Sequence, residues 1–168
     1  MRADVMAVRM EGGVLGELYA QHADDALRLA YLLTADASLA EDLVQDAFVR
    51  LAGRLLHLRD RWGFHAYLRQ TIVNLSRSHF RRKALERRFI ERQAEPLPIE
   101  PPDLSDQETT RRALMELPLR QRTALVLRYF EDLSEAQTAD LMRCRPAAVK
   151  SLVSRGMTSL RTKLGADR

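Results

Sequence analysis

The stretch LSEAQTADLMRCRPAAVKSLVSRGMTSLR, Leu133 to Arg161, holds two short helical patterns with a tight break between them. Ser134 and Gln137 have capping-box spacing, in which a hydroxyl and an amide side chain satisfy free amides of a first helical turn. Pro146, whose φ is already close to the helical value, suits the first turn of a second helix. Val149, Val153, Leu160 and Leu164 give that second helix one apolar seam, with Gly156 as a gap in it. From Met142 to Leu164 there are six basic residues and no acidic one. The seam predicts packing; the cationic remainder asks for a partner.

A helix-turn-helix unit needs a small residue on its first helix where the second crosses, and an aliphatic residue on the second to fill the seam. Ala139 suits the crossing, with Thr138, Met142 and Cys144 on one side and Val149 and Val153 on the other. Ala148, Lys150, Ser151, Ser154 and Arg155 are then left facing outward. Small and cationic side chains suit a groove lined with acceptors and phosphates. Arg143 and Arg145 flank the turn and add charge to the same end. The turn breaks one rule, because its positive-φ position favours glycine and Arg143, Cys144 and Arg145 offer none, a departure worth roughly 1 kcal/mol. The residues alone also allow a packed helical hairpin with a solvated basic face. Cys144, the only cysteine, is either a seam residue or a redox-sensing thiol. A single cysteine excludes an internal disulfide and a Cys-based zinc site.

Outward from this stretch, charge is sorted along the chain. Residues 1–60 carry 6 basic and 10 acidic groups, 61–92 carry 9 and 2, 93–110 carry 0 and 5, and 111–168 carry 12 and 6. Two cationic segments separated by an acidic one point to anionic partners more strongly than the net charge of +4 does. The 24 arginines among 27 cationic residues are also what a GC-rich genome would give, so they carry no separate meaning. Apolar residues recur at period 3.6 in every long segment, glycine is sparse, and no stretch alternates at period two, which predicts an all-α protein. A first helix is lined by Leu15, Leu18, Ala26, Leu29 and Leu33. A second opens on Ser38 and Glu41, again with capping-box spacing, and runs through Val44, Phe48 and Leu51. A third runs from about Phe64 through Leu68 and Ile72 into the basic RSHFRRKALERRF.

QAEPLPIEPPDLSDQ, Gln93 to Gln107, then holds four of the six prolines and no positive charge. Proline removes amide donors and fixes φ, so this segment reads as a linker of up to about 45 Å if extended, with a rigid loop inside one domain as the other possibility. Beyond it come a helix to Leu117, another opened by Pro118 that holds the apolar TALVLRYF, and the two helices of the opening stretch. The four histidines have no paired ligand spacing, and no run of about 18 apolar residues predicts a membrane span. No nucleophile triad, metal cluster, phosphate-cradling glycine loop or paired-carboxylate site is present, which argues against an enzyme. The expectation is a cytoplasmic protein needing no cofactor and no membrane insertion.

Three stretches together carry a family resemblance: AEDLVQDAFVRL (40–51), YLRQTIVNLSRSHFRR (67–82), and LPLRQRTALVLRYFEDLSEAQTADLM (117–142) leading into AVKSLVSRGMTSLR (148–161). In order and spacing they resemble the RNA polymerase sigma factors of the extracytoplasmic-function (ECF) group, and within it the SigE-like actinobacterial subfamily. With the first helix, the resemblance covers about four-fifths of the chain. It implies an all-α protein of two small domains. Residues 13–92 would be sigma region 2, 93–107 an acidic Pro-rich linker, and 108–168 sigma region 4, after a tail at 1–12.

The same resemblance implies partners and residue roles. Core polymerase would be bound at its β′ clamp and β flap, with Asp42, Leu43, Gln45, Asp46 and Phe48 on the clamp-docking helix. The −10 element would be opened and read by the segment 59–83. There Arg59, Arg61 and Arg69 alternate with Trp62, Phe64 and Tyr67, Asn74 matches the family's asparagine, and Arg77, Arg81, Arg82 and Lys83 suit phosphates. Aromatics so placed can stack on released bases at roughly 1–3 kcal/mol each, although Trp62 reads equally well as a core residue. The −35 element would be read by Arg143, Arg145, Ala148, Lys150, Ser151, Ser154 and Arg155. An anti-sigma factor, which in some relatives holds the protein at the membrane, is a further implied partner that no residue here identifies.

This chain departs from the broader group at Ser78, where Asp is common, and at Ala147, Ala148 and Leu152, where Gly, Thr and Arg are common. Losing Thr and Arg there removes groups suited to DNA contact, so relatives' −35 preference does not transfer. A stand-alone helix-turn-helix regulator would have no need of the basic-aromatic segment 59–83, and a non-DNA helical adaptor would show no salt-dependent DNA affinity.

Overall fold

A computed structural model describes residues 2–53, 61–90 and 106–166. They form seven α-helices: α1 Arg2–Thr34, α2 Ala37–Ala52, α3 Arg61–Ile90, α4 Asp106–Met115, α5 Leu119–Leu125, α6 Glu135–Met142 and α7 Pro146–Ala166. A π-helical turn, Val126–Phe130, continues α5. No strand occurs among the described residues. Helix α1 starts at Arg2 and so runs through the segment expected to be a tail. Most of the Pro-rich segment lies outside the described residues; its last two positions, Asp106 and Gln107, already belong to α4.

The chain divides into two compact units, Met1–Leu75 and Ser76–Arg168, and the boundary falls inside α3. The first unit is held by an aromatic and aliphatic core. Phe64 of α3 lies 5.7 Å from the ring of Phe48 on α2 and 5.7 Å from that of His22 on α1. The Phe48 ring is in turn 4.9 Å from Tyr19. Leu29 and Leu33, Val44 and Leu51, and Leu68 and Ile72 complete the core from the three helices. Helix α1 stops at Thr34, whose hydroxyl donates back to the Ala30 carbonyl at 2.8 Å, and Ala35 takes a positive φ of 54°. The next helix is capped by Asp36, whose Oδ1 accepts the Leu39 amide at 3.0 Å. That cap corrects the expected one at Ser38. Asp36 already accepts in the Ncap position, which puts Ser38 inside the first turn.

In the second unit α5 is the centre, as its apolar sequence requires: Thr123 to Leu127 are all buried. The π turn then changes the register. The Glu131 amide donates to Val126 O at 3.1 Å, five residues back. After the change Tyr129 and Phe130 emerge at 60% and 58% exposure instead of continuing the core. Helix α7 crosses α5 at Gly156, where a Cβ would lie 2.9 Å from Leu125 Cδ1 and 3.4 Å from Gln121 Cβ. The gap in the seam is therefore a contact point. Lys163 of α7 pairs with Glu116 beyond α4, and this bond holds the Glu116 carboxyl below its ordinary range.

One charge sits inside this unit. Arg122 is 3% exposed. Its Nη1 donates to Met115 O at 3.0 Å, its guanidinium carbon is 4.9 Å from the centre of the Phe80 ring, and its Nε has no partner. Burial pushes its pKa down to about 10.

Candidate nucleic-acid interface

Helices α6 and α7 form the turn that the sequence predicts. The capping box at Ser134 and Gln137 is complete in both directions, with bonds of 2.9 and 3.1 Å. Thr138, Ala139, Met142 and Val149 are buried at the crossing, and Cys144 is half-buried beside them. The turn closes with Arg143 in the left-handed region at φ 51° and ψ 54°, and with the Cys144 amide donating to Ala139 O at 3.0 Å. The glycine position is thus occupied by an arginine. Replacing Arg143 with glycine should raise the melting temperature, by relief of about 1 kcal/mol of backbone strain. It should also weaken DNA binding and lower the salt slope by about 1 if that cation meets a phosphate. Thermal melting and binding titrations at several salt concentrations check both.

Outward on α7 lie Lys150, Ser151, Ser154 and Arg155, all exposed, with Ala148 half-exposed behind them and Arg143 and Arg145 exposed at the turn. The predicted −35 set therefore shares one end of the unit. Leu152 is buried instead. Its position belongs to the core in this chain, so its departure from the family's arginine bears on packing here.

On α3, Arg77, Arg81, Arg82 and Lys83 are exposed, while Arg69 and Asn74 are half-buried. Tyr67 is exposed. Phe64, expected among the stacking aromatics, is fully buried in the first core and cannot reach a base. Arg59 lies outside the described residues, as do the side chains of Arg61 and Trp62.

Helix α2 separates its predicted residues into two groups. Asp42 and Gln45 are exposed, and half-exposed Asp46 accepts from Arg50 at 3.0 Å. Leu43 and Phe48 are buried, which corrects their assignment to a partner-binding surface: both point inward with Ala40, Val44, Ala47 and Leu51. The apolar member of the outer face is Val49, 72% exposed. Counting 3.6-residue steps from the buried Leu51 would have placed Val49 outside. Among the described residues no cluster of His, Cys, Asp and Glu could hold a metal ion, and no helix is long and apolar enough to cross a membrane.

Two compact helical units, the second holding both a helix-turn-helix and the basic second half of α3, define an all-α protein of the helix-turn-helix class. Known proteins narrow this. The family profile for Sigma-70 region 2 matches residues 18–86, and that for Sigma-70, region 4 matches residues 107–160. The RNA polymerase sigma-E factor of Streptomyces coelicolor is 35% identical over 156 residues, 89% of this chain and 86% of its own. The ECF RNA polymerase sigma factor SigE of Mycolicibacterium smegmatis is 30% identical, over 88% of this chain and 60% of its own. Among solved structures, the sigma factor RpoE in complex with the anti-sigma factor NepR, from Bartonella quintana, superposes with a TM-score of 0.72 at 24% identity, covering 91% of this chain and 98% of that one. The chain belongs to the sigma-70 family, as an ECF sigma factor of SigE type. It is a transcription-initiation factor that serves promoter recognition, and it is not an enzyme.

Proposed function

We propose that this chain recruits core RNA polymerase through the outer face of α2, traps unpaired −10 bases with α3, and reads the −35 element with α7. The observation that carries this reading is the pair of cationic surfaces, one on the second half of α3 with Arg77, Arg81, Arg82 and Lys83, the other on α7 with Lys150 and Arg155. On α2, Asp42, Gln45, Val49 and Arg50 make a mixed polar and apolar face of the kind protein interfaces use. On α3, Tyr67 offers a ring for an unstacked base and half-buried Asn74 a hydrogen-bonding edge, with the exposed arginines beyond them placed for phosphates. A flipped base must be captured well enough to offset a few kcal/mol of unstacking, which is why both a ring and an amide are required.

Run-off transcription with bacterial core polymerase tests the reading. The chain with core should initiate at defined start sites, and the chain alone should bind duplex weakly. Asn74→Ala should abolish opening while leaving closed-complex binding. Lys150→Ala should weaken −35-dependent binding, at about 1–3 kcal/mol if it reads a base and less if it meets a phosphate. Tight duplex binding without polymerase, with no effect of adding it, would instead mark a stand-alone regulator.

An anti-sigma factor is proposed as a second partner. What supports it is that one solved likeness is the sigma factor RpoE in complex with the anti-sigma factor NepR. A cytoplasmic location, with retention at the membrane by such a partner, goes with this proposal.

A further inference from the structure

A cavity of about 320 Å³ lies beside α7, walled by Arg128 and Tyr129 of the π turn, by Glu135 at the start of α6, and by one stripe of α7. Val153 and Met157 line it with apolar surface, and Lys150, Ser154 and Arg161 bring polar groups to it. Arg128 is already engaged, since its guanidinium donates to the Leu133 carbonyl and so holds the turn. The Tyr129 hydroxyl, the Lys150 ammonium, the Ser154 hydroxyl and the Arg161 guanidinium have no hydrogen bond or ion pair among the described residues. Four unpaired donors around an apolar floor fit a phosphate carried on a sugar. The volume is at the lower end of the roughly 300–1,000 Å³ of small-ligand sites, so one such unit fills it.

We propose that this cavity is a subsite for a single backbone phosphodiester of duplex DNA, held by Tyr129 and Arg161 beside the bases that α7 reads. The proposal rests on the reading of α7 as a DNA-reading helix and extends it to residues outside the helix-turn-helix. The π turn is what makes it possible. An i→i+5 turn inserts one residue, and such turns recur at functional sites; here it swings the Tyr129 ring out of the core and over the flank of α7. The same phosphate chemistry could come from a free nucleotide. Lys150 and Ser154, which line the cavity and are also exposed on the outward face of α7, favour the duplex. The one carboxylate on the wall, Glu135, opposes any anion and so marks the site by its effect.

The test uses the chain with core polymerase on a promoter fragment from which the unmodified protein initiates; that initiation itself tests the parent reading separately. Arg161→Ala should weaken binding to the fragment and lower the slope of log affinity against log salt by about 1. Tyr129→Phe should weaken binding about threefold to tenfold with an unchanged slope, since it removes one hydrogen bond and no charge. Glu135→Gln should tighten binding. Phosphate-ethylation interference should lose the same single position in the first two variants. Unchanged affinity and an unchanged ethylation pattern in Tyr129→Phe and Arg161→Ala, with wild-type melting temperatures, would overturn the proposal. So would saturable binding of ATP that Arg161→Ala abolishes without loss of DNA affinity, because the site would then belong to a free nucleotide.

Discussion

Replacing Phe64 with alanine should destabilise the first unit by about 3–5 kcal/mol, the usual cost of emptying a fully buried aromatic site. Phe64 is 1% exposed and joins all three helices of that unit through the rings of Phe48 and His22. None of these neighbours can collapse into the space without breaking a second ring contact, which puts the cost at the upper end of the range. Because small domains have only about 5–15 kcal/mol of stability, the variant should melt well below the parent. Denaturant unfolding followed by circular dichroism measures it. Transcription should fail with it, while the Ser76–Arg168 unit keeps its own transition. If Phe64 were instead a base-stacking residue, the substitution would spare stability and abolish only promoter opening.

Gly156→Val carries the second large effect, through overfilling rather than emptying. A single Cβ at this position already falls 2.9 Å from Leu125 Cδ1, and valine adds two methyl groups beyond it. Leu125 is buried, at 2% exposure, so its side chain has little room to withdraw and α7 must move away from α5. Overpacking of this kind costs about 1–3 kcal/mol. The displacement also reaches the outward residues of α7, one and two turns away. DNA affinity should therefore fall by more than the loss of stability explains. Melting of the protein and titration of promoter DNA, done on the same preparation, separate the two. Gly156→Ala should show the same effects in weaker form.

These two sites also show what the sequence could and could not convey. Phe64 was legible as part of a helix but not as core, because a segment rich in arginine and aromatics has the same composition whether a ring stacks on a base or fills an interior. Gly156 was legible only as a missing apolar residue; that it marks a close crossing depends on where α5 lies, which is tertiary information. On α2 the periodicity is clear in the sequence and its phase is not, so Leu43 and Phe48 fit an outer face as well as an inner one, and only the packing turns them inward and leaves Val49 outside. The π turn left no local signal, since VLRYF continues an apolar helix without a break. In contrast, the α6–α7 turn was legible nearly in full. Its capping box, its small crossing residue, its proline and its seam are all short-range, and each demands the same geometry. Even its odd feature, a non-glycine residue at positive φ, could be anticipated from the absence of glycine between Met142 and Pro146.

The buried guanidinium of Arg122 has a consequence for how the second unit exchanges protons with solvent. Burial lowers its pKa from the usual arginine range to about 10, so the folded chain holds this proton less tightly than the unfolded chain does. Below pH 10 both states are charged, and the folded state carries the full desolvation cost across the whole physiological range. Above about pH 10 and below the ordinary arginine pKa the unfolded state binds more protons, and linkage requires this residue's contribution to stability to rise with pH. Unfolding in that window takes up protons at Arg122, whereas acid unfolding takes them up at Glu116, whose carboxyl pKa is lowered by Lys163. The same unit thus absorbs protons on unfolding at both extremes of pH, from groups that are affected for opposite reasons: one charge is paired, and the other is not.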